Sequence, residues 1–131
     1  MVFEESVVLP TTFEEAVERT KAAFAEVGFG VLTDIDVQST LKNKLGKEMG
    51  PYRILGACNP ELASQALDAE PCIGVLLPCN VVVREAADGV VVEAMDPGIM
   101  AHMVESDTVR ALADEARRLV GDAMVRLSSH S

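Results

Sequence analysis

Aromatic residues are scarce in this sequence of 131 residues, which has no tryptophan, one tyrosine and four phenylalanines. Because 49% of the residues are nonetheless hydrophobic, the core must be built mainly from aliphatic side chains. A chain of this length is typical of one domain that buries a core without help from disulfides or metals. We therefore predict a single domain over residues 1–131, in which residues 128–131 form a frayed tail.

Basic residues are also few, since 11 Lys and Arg stand against 21 Asp and Glu, which gives a formal net charge of −10. An acidic surface repels both nucleic-acid phosphates and anionic lipids. We interpret the one local basic cluster as a solvated helix end and loop rather than an anion site; it consists of Lys42, Lys44, Lys47 and Arg53. We therefore expect neither nucleic acid nor a membrane among the partners.

Long hydrophobic runs and a secretion signal are missing as well. The longest nearly uncharged run, residues 71–83, contains two prolines and falls short of the roughly 20 residues that span a bilayer. The N-terminal stretch MVFEESVVLP is acidic and lacks the apolar core of a signal peptide. The three cysteines lie outside any CxxC spacing, so we predict a cytoplasmic protein with reduced thiols.

Hydrophobic periodicity and turn signals predict the element order β-α-β-α-β-α-β-β-α. The strands are predicted at residues 2–9, 30–37, 51–57, 72–85 and 90–95. The helices are predicted to begin at the N-caps Thr11 or Thr12, Asp36 and Asn59 and, for the last helix, to run from Asp107 to Leu127. The simplest packing is one α+β domain with a mainly antiparallel sheet and its helices on one face.

Two Cys-Asn pairs are the most unusual feature of the sequence, and each stands beside a proline. In the first pair, Cys58 ends a predicted strand directly before a helix N-terminus, where backbone amides and the helix dipole lower the pKa of a thiol. Cys58 is therefore the candidate reactive thiol, and the alternative is a small buried residue in a tight turn. Asn59 is predicted to cap the helix, with Pro60 in its first position.

The second pair lies in a predicted strand, directly after Pro78. Proline cannot donate to a ladder, so Pro78 implies an edge position or a bulge, and bulges often re-aim side chains near functional sites. Cys79 is then either a core thiol of the sheet or a site residue. Asn80 either bonds the backbone around the bulge or faces a ligand, because no helix follows it. Cys72, at the predicted start of the strand, is interpreted as a packing residue.

The sequence lacks the residues that several kinds of reaction centre require. Two thiolates suit zinc or copper(I), but a closed zinc site takes about four ligands, and Met100, His102 and Met103 do not stand at a zinc spacing, so we predict no metal. A hydrolytic triad would have to use His102 or His130 as its base. The glycines of residues 28–30 lack the continuation of a phosphate-binding loop. The sequence names no cofactor.

The motifs GACNP (residues 56–60) and LPCN (residues 77–80) resemble those of a family of small bacterial and archaeal proteins known as domain of unknown function 302. The resemblance extends over almost the whole chain and includes the late Asp96-Pro97. It implies a fold like that of the TATA-binding protein, with a curved antiparallel sheet packed by helices, and it implies a homodimer. It implies neither DNA binding nor any catalytic residue, because a fold does not carry a function.

Three hypotheses follow for the function. The first is a non-enzymatic module that binds a small molecule, with Cys58, Asn59, Cys79 and Asn80 on the wall of one site. The second is a redox or sulfur-handling protein that uses Cys58 as its reactive thiol. The third is a structural homodimer, or a subunit, whose motif residues only shape turns and which binds no ligand.

Overall fold

The computed structural model describes residues 4–129, which form one antiparallel sheet and a layer of helices. The strands are β1 (Glu4–Leu9), β2 (Gly30–Asp36), β3 (Tyr52–Cys58), β4 (Cys79–Ala86) and β5 (Gly89–Met95). The helices are α1 (Phe13–Glu26), α2 (Val37–Leu45), α3 (Pro60–Ala69), α4 (Met100–Met103) and α5 (Asp107–Ser129), with 3-10 helices at Pro71–Leu76 and Pro97–Ile99. Across the sheet the strand order is β1-β5-β4-β3-β2. The predicted α+β class, antiparallel sheet and element order are confirmed.

Helices α1 and α2 begin where their N-capping residues predict. Thr12 Oγ1 accepts a hydrogen bond from the Glu15 amide at 3.2 Å, and Asp36 Oδ1 accepts one from the Ser39 amide at 2.9 Å. Helix α2 is followed by its C-cap Gly46, whose φ of +65° lies in the left-handed region that glycine adopts without strain. Local sequence signals therefore determine these boundaries.

The core lies between one face of the sheet and the helices. Val81, Val83, Val90 and Val92 alternate along β4 and β5 and are at most 2% exposed. Burial of one such side chain contributes about 1.5–3 kcal/mol to stability. Helix α5 packs onto this face with a stripe at helical spacing, which consists of Val109, Ala113, Ala116, Val120, Ala123, Met124 and Leu127. The core is mainly aliphatic, as the composition predicts.

The strand predicted over residues 72–85 is wrong in its first part, because Pro71–Leu76 forms a 3-10 helix and β4 begins only at Cys79. This run is apolar without a two-residue period, and prolines bracket it, so hydrophobicity alone misidentifies a turn as a strand. Pro78 precedes β4, and β4 pairs with both β3 and β5, so the inferred edge position is also wrong. Cys72 is exposed in the 3-10 helix and is not the packing residue predicted.

Some predictions concern the ends of the chain. The predicted first strand includes residues 2 and 3, and the predicted tail includes residues 130 and 131, all of which lie outside the described residues. Residues 128 and 129, also assigned to the frayed tail, belong to α5. None of the helices within residues 4–129 is both long enough and apolar enough to cross a membrane.

Gly56 marks a close approach between three segments near the end of β3. A Cβ atom at this position would lie 2.7 Å from Pro78 Cγ and closer still to the Thr33 side chain. The pairing of β2 with β3 is irregular at the same level, between Val31 and Thr33. The glycine of GACNP therefore leaves the space into which the proline of LPCN packs, and the two motifs meet in the fold.

We expect Gly56→Ala to lower the free energy of unfolding by about 1–3 kcal/mol, as overpacking does at tightly packed positions. The added methyl group would collide with a proline ring and with a side chain of the neighbouring strand. Urea denaturation followed by circular dichroism measures the change. Gly30→Ala is the matched control, since a Cβ atom there meets nothing within 4 Å. Equal losses for the two variants would contradict the packing role of Gly56.

Candidate functional site

A cleft opens between the end of the sheet, α3 and α5. Cys58 and Cys79, both residues of the sheet, line the cleft. Phe29, which precedes β2, Leu77, which precedes β4, and Met100 of α4 also line it. The cleft has a cavity volume of about 40 Å³, within a space of about 420 Å³ that includes its open mouth. The cleft is therefore narrow, and no Asp, Glu, Lys, Arg or His of the described residues lines it.

Small residues explain why space remains here. Helix α3 contributes Ala63 and Ala66 to the wall, α5 contributes Ala113 and Ala116, and β3 contributes Ala57. The two helices pack against each other, and larger side chains would normally fill such a contact to the density of a protein interior. The methyl groups of these five alanines are too small to fill that volume, so part of it stays empty.

Cys58 is the last residue of β3 and directly precedes α3, as predicted. Its side chain is half-buried, and burial raises the pKa of its thiol. This direction contradicts the lowered pKa expected at a helix N-terminus. Loss of hydration disfavours the thiolate, and the Leu62 amide in the first turn of α3 already donates to Asn59 Oδ1 at 3.1 Å. The direction of this shift argues against an activated thiolate at Cys58, and the reactivity of the thiol stays a prediction.

Cys79 is the first residue of β4, where it pairs with Ala57 of β3 and is 5% exposed. Burial, with a smaller contribution from the charge of Cys58, raises the pKa of the Cys79 thiol to about 11. The β3–β4 pairing is regular here and the irregularity lies in β2, so the bulge predicted at Cys79 is wrong. Cys79 is a core thiol whose side chain also reaches the cleft.

Asn80 is separated from the other three candidate residues. Along β4, Cys79 and Val81 are buried whereas Asn80 is exposed and pairs with Gly56. Successive side chains of a strand point to opposite faces, so Asn80 lies on the face away from the helices. Asn80 does not line the cleft, which corrects the prediction that the four residues share one wall. Ligand binding by Cys58, Asn59 and Cys79 stays a prediction.

Asn59 caps α3, as predicted, and it also lies against the turn between α1 and β2. A Cβ atom on Gly28 would be 3.1 Å from Asn59 Nδ2, and Gly28 has a φ of +88°. The next residue, Phe29, lines the cleft and packs edge-on against Phe24 with ring centroids 6.3 Å apart. Asn59 therefore joins the start of α3 to the turn that places Phe29.

Two groups of cleft residues could not be predicted from the sequence. The apolar stripe of α5 is visible in the sequence, but which of its residues face α3 depends on packing over a long sequence distance. Met100 is buried in α4 and lines the cleft, whereas its spacing indicates only an apolar helical turn. One local signal does indicate the turn before α4. Asp96 Oδ1 accepts a hydrogen bond from the Gly98 amide at 2.8 Å, and this cap starts the 3-10 helix that leads into α4.

The remaining candidate metal ligands do not gather at the cleft. His102 and Met103 are exposed, in contrast to Met100. Within residues 4–129, no three His, Cys, Asp or Glu side chains are grouped as they would be around a metal ion.

The basic cluster is smaller than the sequence suggests. Arg53 Nε donates to Asp34 Oδ1 at 2.7 Å, and this hydrogen bond is the main cause that lowers the pKa of Asp34. Lys42 lies 3.5 Å from the Glu48 carboxylate. Lys42, Lys44 and Lys47 are exposed at the end of α2 and in the loop after it, which agrees with a solvated helix end. The expected absence of nucleic-acid and membrane partners stays a prediction.

We expect iodoacetamide to modify the cysteines of the folded protein in the order Cys72, Cys58, Cys79. Cys72 is exposed, Cys58 is half-buried and Cys79 is buried, and burial raises the pKa values of the last two, which keeps them protonated near neutral pH. Mass-resolved kinetics measure the order, and urea-denatured protein provides the reference in which the three rates converge. Alkylation of Cys58 ahead of Cys72 would restore the activated-thiolate hypothesis.

Comparison with known proteins identifies a family. Residues 5–127 match the family model described as Domain of unknown function DUF302. The crystal structure of uncharacterized conserved protein DUF302 from Bacillus stearothermophilus is similar, with 26% identity and a TM-score of 0.87 over 97% of this chain and 99% of that chain. No curated protein matches the chain. The likeness to the TATA-binding protein and the homodimer are tested by none of these comparisons and stay predictions. Because the family model spans nearly its whole length, the chain belongs to the DUF302 family.

Proposed function

We propose that the protein is a non-enzymatic binding module that holds one small ligand in the cleft between the sheet, α3 and α5. The observation that carries this proposal is that two thiols from separate motifs, Cys58 and Cys79, line one apolar cleft. Asn59 lies at the same cleft and fixes the start of α3. Apolar clefts with a few convergent polar groups are typical of small-molecule sites.

The chemistry of the cleft favours binding over catalysis. No acidic, basic or imidazole side chain of the described residues lines it, so no side chain there is suited to act as a general acid or base near neutral pH. Burial raises the pKa values of Cys58 and Cys79, so the two potential nucleophiles are neutral near pH 7. The alternative function in redox or sulfur handling, through a thiolate of Cys58, is weakened for the same reason.

Filling the cleft should abolish binding while the fold is retained. Ala113 lines the cleft and is 2% exposed, so Ala113→Leu directs its larger side chain into the empty space. Xenon under pressure is a suitable probe, because it is apolar, monatomic and known to enter dry protein cavities. We expect xenon to shift the methyl NMR signals of Leu62 and Leu112 in the wild-type protein and to leave them unchanged in Ala113→Leu.

Ala111→Leu is the matched control, because Ala111 is exposed on the same helix and its variant should respond to xenon as the wild type does. Circular dichroism and urea denaturation establish that both variants fold. Equal xenon shifts in Ala113→Leu and the wild type, or no shifts in the wild type, would contradict the cleft as a binding site.

We also propose that a second copy of this chain covers the open face of the sheet and forms a homodimer. The side chains of Ile35, Ile54 and Val82 alternate with residues that face the helices, and they pair in one continuous row across β2, β3 and β4. On the same face, Val8 and Ile35 are each 49% exposed. An apolar sheet face of this kind is a self-complementary surface for a twofold dimer.

Charge does little to oppose a second copy at this face. The chain carries a net charge of −10, so two copies repel each other over most of their surfaces. On the open face, Arg84 Nε donates to Glu93 Oε1 at 2.7 Å, and these opposite charges offset each other. Two acidic chains can therefore approach each other through the open face with less repulsion than through the acidic parts of the surface.

Light scattering at micromolar concentration tests the dimer. We expect a mass near twice the chain mass of 14.0 kDa and a mass near the single-chain value for Ile35→Glu, because the new carboxylates of two copies would face each other. Val125→Glu is the control, since Val125 is 65% exposed on α5 in the helical layer. A single-chain mass for the wild type, or a dimer of Ile35→Glu as stable as the wild type, would overturn this proposal.

A further inference from the structure

The nine-residue helix α2 differs from the other helices, because none of its residues is buried. Helices α1, α3, α4 and α5 each bury at least one residue. A helix of this length is marginal alone in water, and most helices in proteins are stabilised by packing an apolar face. We propose that a second copy of this chain packs against α2. This inference rests on the proposed homodimer, to whose sheet face it adds a helix.

Helix α2 carries an apolar stripe formed by Val37, Leu41 and Leu45. These residues are four positions apart, so their side chains lie on one face of the helix. Val37 and Leu41 are only partly buried, and Leu45 is 72% exposed. Gln38 Nε2 donates to the Met49 carbonyl at 2.9 Å, which ties α2 to the loop after it. The helix is therefore held in place while its apolar face is incompletely covered.

The stripe begins close to the open face of the sheet. Strand β2 is an edge strand, and α2 starts at the residue after it. Ile35 belongs to the apolar row of the open face, is 49% exposed and stands two positions before Val37. Two residues of chain span at most about 7 Å, which is less than the width of one helix. A second copy that covers Ile35 therefore comes within reach of α2.

Charge complementarity favours a second copy of this acidic chain as the occupant. Helix α2 contains Lys42 and Lys44 and no acidic residue, whereas the chain has 21 acidic and 11 basic residues. Lys44 stands three positions after Leu41, so it lies beside the apolar stripe. The lysines can pair with carboxylates at the rim of a contact whose centre is apolar, and in a twofold dimer this pairing forms twice.

Nucleic acid and anionic lipid fit α2 less well than a second copy does. Both present negative charge over a wide area, and the acidic remainder of this chain would face much of it. The carboxylates of a protein surface, in contrast, can meet the lysines while other parts of the two copies stay apart.

A mixture of isotope-labelled and unlabelled full-length protein tests the inference, because isotope-filtered NMR then detects only contacts between copies. We expect such contacts at the methyl groups of Ile35, Ile54, Leu41 and Leu45. Contacts at Ile35 and Ile54 without any at Leu41 and Leu45 would overturn this inference alone. Absence of all of them, together with a single-chain mass in light scattering, would overturn the homodimer as well.

Substitution of the exposed end of the stripe should weaken the dimer. We expect Leu45→Gln to raise the dimer dissociation constant at least about tenfold, because a leucine that becomes buried at the interface is replaced by a polar side chain. Analytical ultracentrifugation measures the constant, and circular dichroism establishes that the variant folds. Val125→Gln is the matched control, since Val125 is 65% exposed on α5 in the helical layer. Equal constants for Leu45→Gln and the wild type would overturn the inference.

Lys44→Glu and Arg118→Glu separate the position of a charge from the net charge. Both substitutions make each copy more acidic by the same amount, so the general repulsion between copies rises equally. Arg118 lies on α5 in the helical layer, and its side chain is 64% exposed. We expect the larger increase in the dissociation constant for Lys44→Glu, and equal increases would overturn the inference. Vesicles of phosphatidylglycerol that shift the NMR signals of α2, without contacts between copies at Leu41 and Leu45, would overturn it in favour of a lipid surface.

Discussion

The antiparallel pairing of β3 with β4 is the constraint on which the rest of the cleft depends. It sets Ala57 opposite Cys79 and Gly56 opposite Asn80, so GACNP and LPCN lie side by side although about twenty residues separate them. The pairing is close because Gly56 has no side chain where Pro78 packs. Helix α3 then starts directly at the end of β3, and its position against α5 follows from that start. Without this register Cys58 and Cys79 would not line the same cleft.

The same pairing separates the asparagines of the two Cys-Asn motifs. Strand alternation turns Cys79 toward the helices and Asn80 toward the open face, so neighbours in sequence serve opposite surfaces. Asn59 has left the strand and caps α3 instead. The motifs are thus related through their cysteines, while their asparagines have different structural roles. A dipeptide that occurs twice in a sequence does not necessarily have the same function twice, because neighbouring residues of a strand face opposite sides of the sheet.

Local signals were sufficient for much of the fold and insufficient for the cleft. The caps at Thr12, Asp36 and Asn59 act within one helical turn, so the sequence predicts those helix starts correctly. The run after Pro71 has no period to distinguish a strand from a turn, and there the prediction fails. The cleft depends on α5, which reaches α3 across more than forty residues, and no local pattern specifies which face of α5 it presents. The direction of the Cys58 pKa shift was also not predicted, because burial of the thiol raises its pKa and a local sequence pattern does not reveal burial.

Charge is distributed unevenly between the surface of the protein and the cleft. A net charge of −10 attracts cations of every kind to the surface, where hydrated carboxylates hold hard ions weakly and without discrimination. The cleft contains no carboxylate of the described residues, so a hard ion that entered it would give up its water and gain no oxygen ligand. The acidic surface and the uncharged cleft therefore differ in what they can hold: the surface concentrates cations, and the cleft disfavours hard ions because it offers them no carboxylate of the described residues.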